Sequence, residues 1–157
     1  MNLARGYTVR RAGLDDIPTL IELRAKMFAT FVDDEGKIAA MNEYSSGYFR
    51  EQIEANQFMA WVAEDAGGEV VACAALSFYY LPPKPFNLAG KYGYISSMYT
   101  EEEHRGKGVA RKLLQRALDC AREEGLTMVK LHATEAGVSL YESAGFKKWN
   151  EMALAVE

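Results

Sequence analysis

Apolar positions change their spacing several times along this chain, and each change marks an element. Thr8 to Arg11 alternates weakly, and Asp15, Asp16 and Pro18 then supply the cap residues and first-turn proline that open a helix. Leu20, Leu23, Met27, Phe28 and Phe31 recur at three- and four-residue steps up to the acidic turn Asp33 to Gly36, where that helix should stop. A second helix is expected from about Ile38 to Ala55. From Phe58 the period shortens: Phe58 to Ala63 and Val70 to Tyr80 are rich in β-branched and aromatic residues, with Gly67 and Gly68 between them, and read as a hairpin. Pro82, Pro83 and Pro85 then impose an irregular loop before a strand over Tyr92 to Thr100.

The helical period returns from about Gly108, where Ala110, Leu113, Leu114, Ala117, Leu118 and Ala121 fall on one face and Gly125 is placed to end the helix. Met128 to Ala133 reads as a strand, Val138 to Ser143 as a short helix, and Phe146 to Val156 as a last strand. With no internal repeat and no linker, these elements predict one α/β domain over residues 1–157, its single mixed sheet flanked by helices on both faces.

Composition agrees with that picture and narrows the partners. Hydrophobic residues make up 49% of the chain and charged ones 25%, the balance of an ordinary globular protein. A net charge of −4 weighs against a general nucleic-acid binder, which rests on a surplus of Lys and Arg. The two cysteines, Cys73 and Cys120, sit in apolar stretches with no metal-ligand spacing, so reduced core thiols and no metal are expected. Arg5, Arg10 and Arg11 have no apolar run behind them; neither a signal peptide nor a membrane span is expected, which predicts a cytoplasmic location.

The most informative stretch is Glu103, His104, Arg105, Gly106, Lys107, Gly108, Val109, Ala110, between a strand and the long helix. Two glycines let the backbone adopt dihedrals that a side chain would resist, and the helix that follows begins with unpaired N–H groups and partial positive charge. Arg105 and Lys107 add cationic side chains, so the segment reads as an anion site able to hold a pyrophosphate. A Walker loop is absent, and so is the dinucleotide fingerprint of three glycines in a first strand-to-helix turn.

Arg105, Gly108 and Ala110 match a signature of Arg or Gln, two residues, Gly, one residue, then Gly or Ala. Met98, Tyr99 and Thr100 precede it and run into Glu101 to Glu103; Thr134, Leu140, Tyr141, Glu142, Gly145 and Phe146 match a second signature downstream. On these motifs the chain resembles the GCN5-related N-acetyltransferases. The resemblance is specific from about Tyr94 to Phe146, and the N-terminal half agrees in its order of elements. It implies a mostly antiparallel, twisted sheet of six to seven strands and an enzyme that uses acetyl coenzyme A as co-substrate. Met98, Tyr99 and Thr100 would face the pantetheine arm, with Met98 and Thr100 offering backbone groups. Arg105, Gly106, Lys107, Gly108, Val109 and Ala110 would hold the pyrophosphate. Thr134 falls where an Asn or Ser touches the pantetheine arm, and Tyr141 where a tyrosine protonates the departing thiolate. Two positions depart from the pattern: Ser143 replaces a common Lys, so no phosphate contact is carried over there, and Tyr94 stands where histone-modifying members place a glutamate.

Acyl transfer to an amine requires a neutral nucleophile, and an alkyl ammonium with a pKa near about 10.4 must first lose a proton. Glu101, Glu102, Glu103 and His132 are the candidate acceptors of that proton. The resemblance places the acceptor pocket at the first two helices and the proline loop. Phe28, Phe31, Tyr44, Phe49 and Phe86 there supply aromatic surface, Asp33, Asp34 and Glu35 supply charge, and Pro82 and Pro83 shape the loop. The partner implied is a small-molecule or peptide amine, with no nucleic acid or membrane and with a homodimer as the assembly to test. Two rival functions use the same residues: an acyl coenzyme A binder without catalysis, and a nucleic-acid module using Arg105, Lys107, Arg111, Lys112 and Arg116 as a basic face.

Overall fold

The computed structural model describes residues 4–156. In chain order it contains β1 (Thr8–Arg11), α1 (Ile17–Ala29), α2 (Glu35–Glu54), β2 (Phe58–Glu64), β3 (Val70–Tyr80), β4 (Lys91–Thr100), α3 (Val109–Glu123), β5 (Val129–Leu131) and α4 (Val138–Ser143). The strands form one sheet in the order β1-β2-β3-β4-β5, antiparallel throughout except for the parallel pair β4–β5.

Side chains of β2 and β3 alternate between two apolar layers, and both layers are covered. Met59, Trp61, Ala63, Ala72, Ala74 and Leu76 face α3, whose stripe of Val109, Leu113, Leu114, Ala117 and Ala121 is buried against them. Phe58, Ala60, Val62, Cys73 and Ala75 face α1 and α2 through Ile17, Leu20, Leu23 and Phe49. Coverage on both sides is why β2 and β3 read as nearly continuous apolar runs.

Local chemistry sets the element ends. Asp34 accepts the Lys37 N–H at 3.0 Å and so caps α2, starting it at Glu35 instead of the expected Ile38. Asp65 accepts from the backbone N–H groups of Gly67 and Glu69, closing the β2–β3 turn, where Gly68 takes φ 84. Asp16 receives the Gly13 N–H at 2.8 Å and both terminal nitrogens of Arg10 at 2.8 and 2.9 Å, which ties β1 to the start of α1.

The Arg10 contact holds the Asp16 carboxyl below its usual range. A depressed carboxyl contributes stability above its unfolded value, near about 3.9, and that contribution is lost as pH falls through the folded value. Because Arg10 is 40% exposed, solvent screens the pair. Asp16→Asn should therefore cost about 0.5 to 1 kcal/mol in urea unfolding at pH 7. The difference should shrink as pH falls below 4, and an equal difference at pH 7 and pH 3 would remove the ion pair from the explanation.

The sheet has five strands, not the six to seven implied by the sequence. The missing strand is Phe146 to Val156, which is irregular over its described residues. Its alternating Met152 and Leu154, with Val156, are 98, 86 and 89% exposed, so no apolar layer of this chain receives them. Its neighbour β5 is only three residues long and offers too short a ladder to order a further strand. Lys130 of β5 still reaches Glu151 as an ion pair. No helix among the described residues is long and apolar enough to cross a membrane.

Candidate functional site

Strands β4 and β5 begin side by side and then part. Their parallel register runs from Gly93↔Val129 to Ile95↔Leu131 and ends there, whereas β4 continues to Thr100. From Ser96 onward β4 is therefore paired with β3 on one edge and open on the other. A bulge falls in the open half: Ala75 pairs with Ser96 and Cys73 with Tyr99, so Ser97 and Met98 together oppose Ala74. Ser97 adopts φ 56, a conformation costly for a non-glycine residue. It is held by the Arg24 guanidinium, which donates to Ser97 Oγ at 2.7 Å, and by the Cys73 thiol, which donates to the Ser97 carbonyl at 3.1 Å. Burial pushes that thiol up to about 12, so it stays protonated and able to donate.

Past Thr100 the chain makes a single 3-10 turn over Glu102–His104 and enters the glycine segment. Gly106 and Gly108 take φ 73 and φ 81. A Cβ built on Gly106 would meet no protein atom within 4 Å, so the space before this turn is open. Gly108 precedes α3 with no side chain to cap it, and the first helical bond runs from Lys112 N–H to the Gly108 carbonyl at 3.1 Å. Among the described residues, none of the N–H groups from Gly106 through Arg111 donates to a protein acceptor. A row of outward donors beside a helix N-terminus is what an oxyanion of a phosphate requires.

Neighbouring side chains brace this loop. The Arg105 Nε donates to the Thr100 carbonyl at 2.9 Å, and the guanidinium lies 5.6 Å from the Tyr99 ring. Arg105 thus straps the loop to β4 and occupies the Thr100 carbonyl, leaving Met98 with the bulge as the main-chain position on the open edge. Behind the loop, the Ala4 N–H donates to the Lys107 carbonyl at 2.5 Å, Tyr7 Oη and His104 Nδ1 are 2.8 Å apart, and Lys112 Nζ donates to the Tyr7 carbonyl at 3.1 Å.

The second motif lies beyond β5. Thr134 is exposed, and its carbonyl accepts the Gly137 N–H at 2.9 Å. Tyr141 on α4 is 9% exposed, packs edge-on against Phe146 at 5.9 Å, and shares an apolar cluster with Ile95, Val109 and Leu113. Its hydroxyl has no hydrogen-bond partner among the described residues, and burial raises its pKa, which keeps the phenol protonated. A cavity of about 660 Å³ lies between α3, β5, α4 and the segment from Ala144 to Glu151. Tyr141 and His132 line it, and no residue of the glycine segment does.

Several candidates are committed elsewhere. Glu101 is bound by Lys26 at 2.5 Å and accepts from the Tyr99 hydroxyl at 3.4 Å, so its carboxylate is already engaged. Glu102, Glu103 and His132 are exposed. Asp34 is a helix cap, and Phe49, at 3% exposure, stacks on Phe58 at 4.9 Å in the core instead of lining a pocket. Phe31, Tyr44 and Phe86 are exposed, and Tyr94 is 37% exposed on β4. Arg24 and Ser97 were not singled out by sequence, although Arg24 is a cation inside the Leu20, Leu23, Met27 and Phe28 stripe and so was a visible irregularity.

A family model described as the acetyltransferase (GNAT) family matches residues 17–146. N-acetyltransferase family 8 member 2 of Rattus norvegicus is 35% identical over 91 residues, covering 56% of this chain and 38% of that protein. N-acetyltransferase 8 of Mus musculus is 35% identical over 94 residues, covering 58% and 39%. These matches span about two fifths of the length of the curated relatives. Among solved structures, a GCN5-related N-acetyltransferase from Ralstonia eutropha JMP134 superposes with TM-score 0.87 at 30% identity, covering 96% of this chain and 99% of that one. A protein described as a predicted acetyltransferase from Clostridium acetobutylicum, crystallised with acetyl-CoA, superposes with TM-score 0.84 at 28% identity and 96% coverage of both.

Proposed function

Because the chain belongs to the acetyltransferase (GNAT) family, we propose that it transfers an acetyl group from acetyl coenzyme A to a primary amine of a small molecule or peptide by direct attack. The observation that carries this reading is the unbroken row of N–H donors from Gly106 through Arg111, which have no protein acceptor among the described residues, beside open space. Acetyl coenzyme A supplies an activated thioester and, at its other end, the diphosphate that such a row would bind. Gly106, Lys107, Gly108, Val109 and Ala110 contribute main-chain donors, and Arg105 and Lys107 add charge. The pantetheine arm then runs along the open edge of β4, past Tyr99 and Met98, with Thr134 on the opposite side.

Tyr141 holds its proton because burial disfavours the phenolate; it delivers that proton to the departing sulfur as the C–S bond breaks, and the proton that the amine nitrogen loses on forming the C–N bond returns through solvent to restore the phenol. Coenzyme A release measured across an amine panel tests the reading. Turnover with at least one amine is expected, while tight acetyl coenzyme A binding with no release from any amine favours the alternative, an acyl coenzyme A binder without catalysis.

The reading extends to a homodimer. The tail bearing Met152, Leu154 and Val156 exposes an alternating apolar face that no layer of this chain receives, and a second copy can cover it. Light scattering should give twice the chain mass for the full chain and a single chain mass once residues after Lys147 are removed. A monomeric full chain would contradict the dimer.

A further inference from the structure

Arg10 and Arg24 are the two arginines that fall short of full exposure, and their partners differ. Arg10 is neutralised by Asp16 at 2.8 Å and by Glu64 at 2.6 Å. Arg24 has no carboxylate at ion-pair distance among the described residues. Glu22 on the same helix and Glu101 at the end of β4 both bind Lys26 instead, at 3.2 and 2.5 Å. Its surroundings are otherwise neutral: the guanidinium lies 4.9 Å from the Phe28 ring and donates once, to Ser97 Oγ. Burial lowers its pKa, so the fold leaves an uncompensated charge there. Such a charge is costly unless something pairs with it.

The position of that charge bears on the acceptor. Ser97 is the bulged residue of β4, two residues past the last pair with β5, at the point where the two strands part. We infer that the acceptor amine also carries a carboxylate, and that Arg24 binds this carboxylate beside the β4 bulge. This rests on the N-acetyltransferase reading and names its substrate class. One guanidinium with one neutral hydroxyl beside it balances a single negative charge, which suits a carboxylate; a phosphate dianion would call for a second cation, and Lys26, two residues on, is bound to Glu22 and Glu101. An amino acid, with its ammonium and carboxylate a few ångströms apart, meets the requirement.

The test compares coenzyme A release from L-amino acids, from their carboxamides, from the amines left when the carboxylate is removed, and from an amino sugar phosphate. Amino acids should be used with kcat/KM about 10- to 100-fold above their carboxamides, the range expected for a hydrogen-bonded charge pair. Arg24→Met should erase that margin and Arg24→Lys should restore part of it. Because Arg24 also holds Ser97 in the bulge, the readout is the ratio of acid to carboxamide use within each variant, with calorimetric acetyl coenzyme A affinity measured beside it to separate a lost carboxylate contact from a disturbed bulge. Equal use of acids and amides by the natural protein, preference for the phosphorylated amine, or an Arg24→Met loss shared by every amine and by acetyl coenzyme A alike would overturn the inference while leaving the transferase reading in place. Release from no amine at all would overturn the transferase reading itself, and this inference with it.

Discussion

Gly108→Val should weaken acetyl coenzyme A binding by about a hundredfold or more while the protein remains folded. Gly108 sits at φ 81 immediately before α3, in the left-handed region that a β-branched residue resists most. Forcing valine there costs roughly 1 to 2 kcal/mol or turns the backbone away. A domain with about 5 to 15 kcal/mol of stability survives such a loss. The row of N–H groups does not survive it as a ligand site, because the directions of the Gly108, Val109 and Ala110 donors depend on that dihedral. Circular dichroism should be unchanged at 25 °C and calorimetric affinity should fall by about a hundredfold or more, the loss of two charge-assisted hydrogen bonds. Gly106→Ala is the milder companion: its Cβ meets no protein atom, so its effect isolates the strain at φ 73 and the intrusion into the ligand space. Natural affinity in Gly108→Val would show that the diphosphate lies elsewhere.

Tyr141→Phe should lower kcat by about a hundredfold to ten-thousandfold, equivalent to roughly 3 to 5 kcal/mol, with acetyl coenzyme A affinity changed little. The substitution keeps the ring that packs on Phe146 and removes a hydroxyl with no protein hydrogen-bond partner among the described residues, so stability should hardly move. The sign of the pH dependence follows from burial. A phenol whose pKa is raised above its usual value, near about 10, keeps its proton throughout the neutral range, so loss of the Tyr141 proton should not limit turnover below that pH. Rising pH instead frees the acceptor amine, so the natural protein should gain activity up to alkaline pH. An equal kcat in Tyr141→Phe would take Tyr141 out of the chemistry and leave it a packing residue.

Legibility in the sequence followed the range of the interactions. The stripe from Val109 to Ala121 and the paired layers of β2 and β3 are local periodicities, and they appeared in the structure close to where spacing placed them. The glycine segment was readable for the same reason, because two positive-φ positions before an amphipathic helix are written into consecutive residues. The β4 bulge was not: it exists only in register with Ala74, and Ser97 gives no local sign that it will stand at positive φ. Nor was the Arg24 contact, which joins residues 73 positions apart. The tail misled because Met152, Leu154 and Val156 alternate as a strand does, while strand formation also needs a partner edge and β5 supplies only three residues.

The most direct measurement is calorimetric titration of the folded natural protein with acetyl coenzyme A and, in parallel, with S-acetylpantetheine, which has the same thioester and arm but no diphosphate. Saturable one-to-one heat for acetyl coenzyme A, with affinity at least about a hundredfold weaker for S-acetylpantetheine, is the expected result. No heat with acetyl coenzyme A, or equal affinity for the two, would contradict the capture of a diphosphate by the main-chain donors between Gly106 and Arg111.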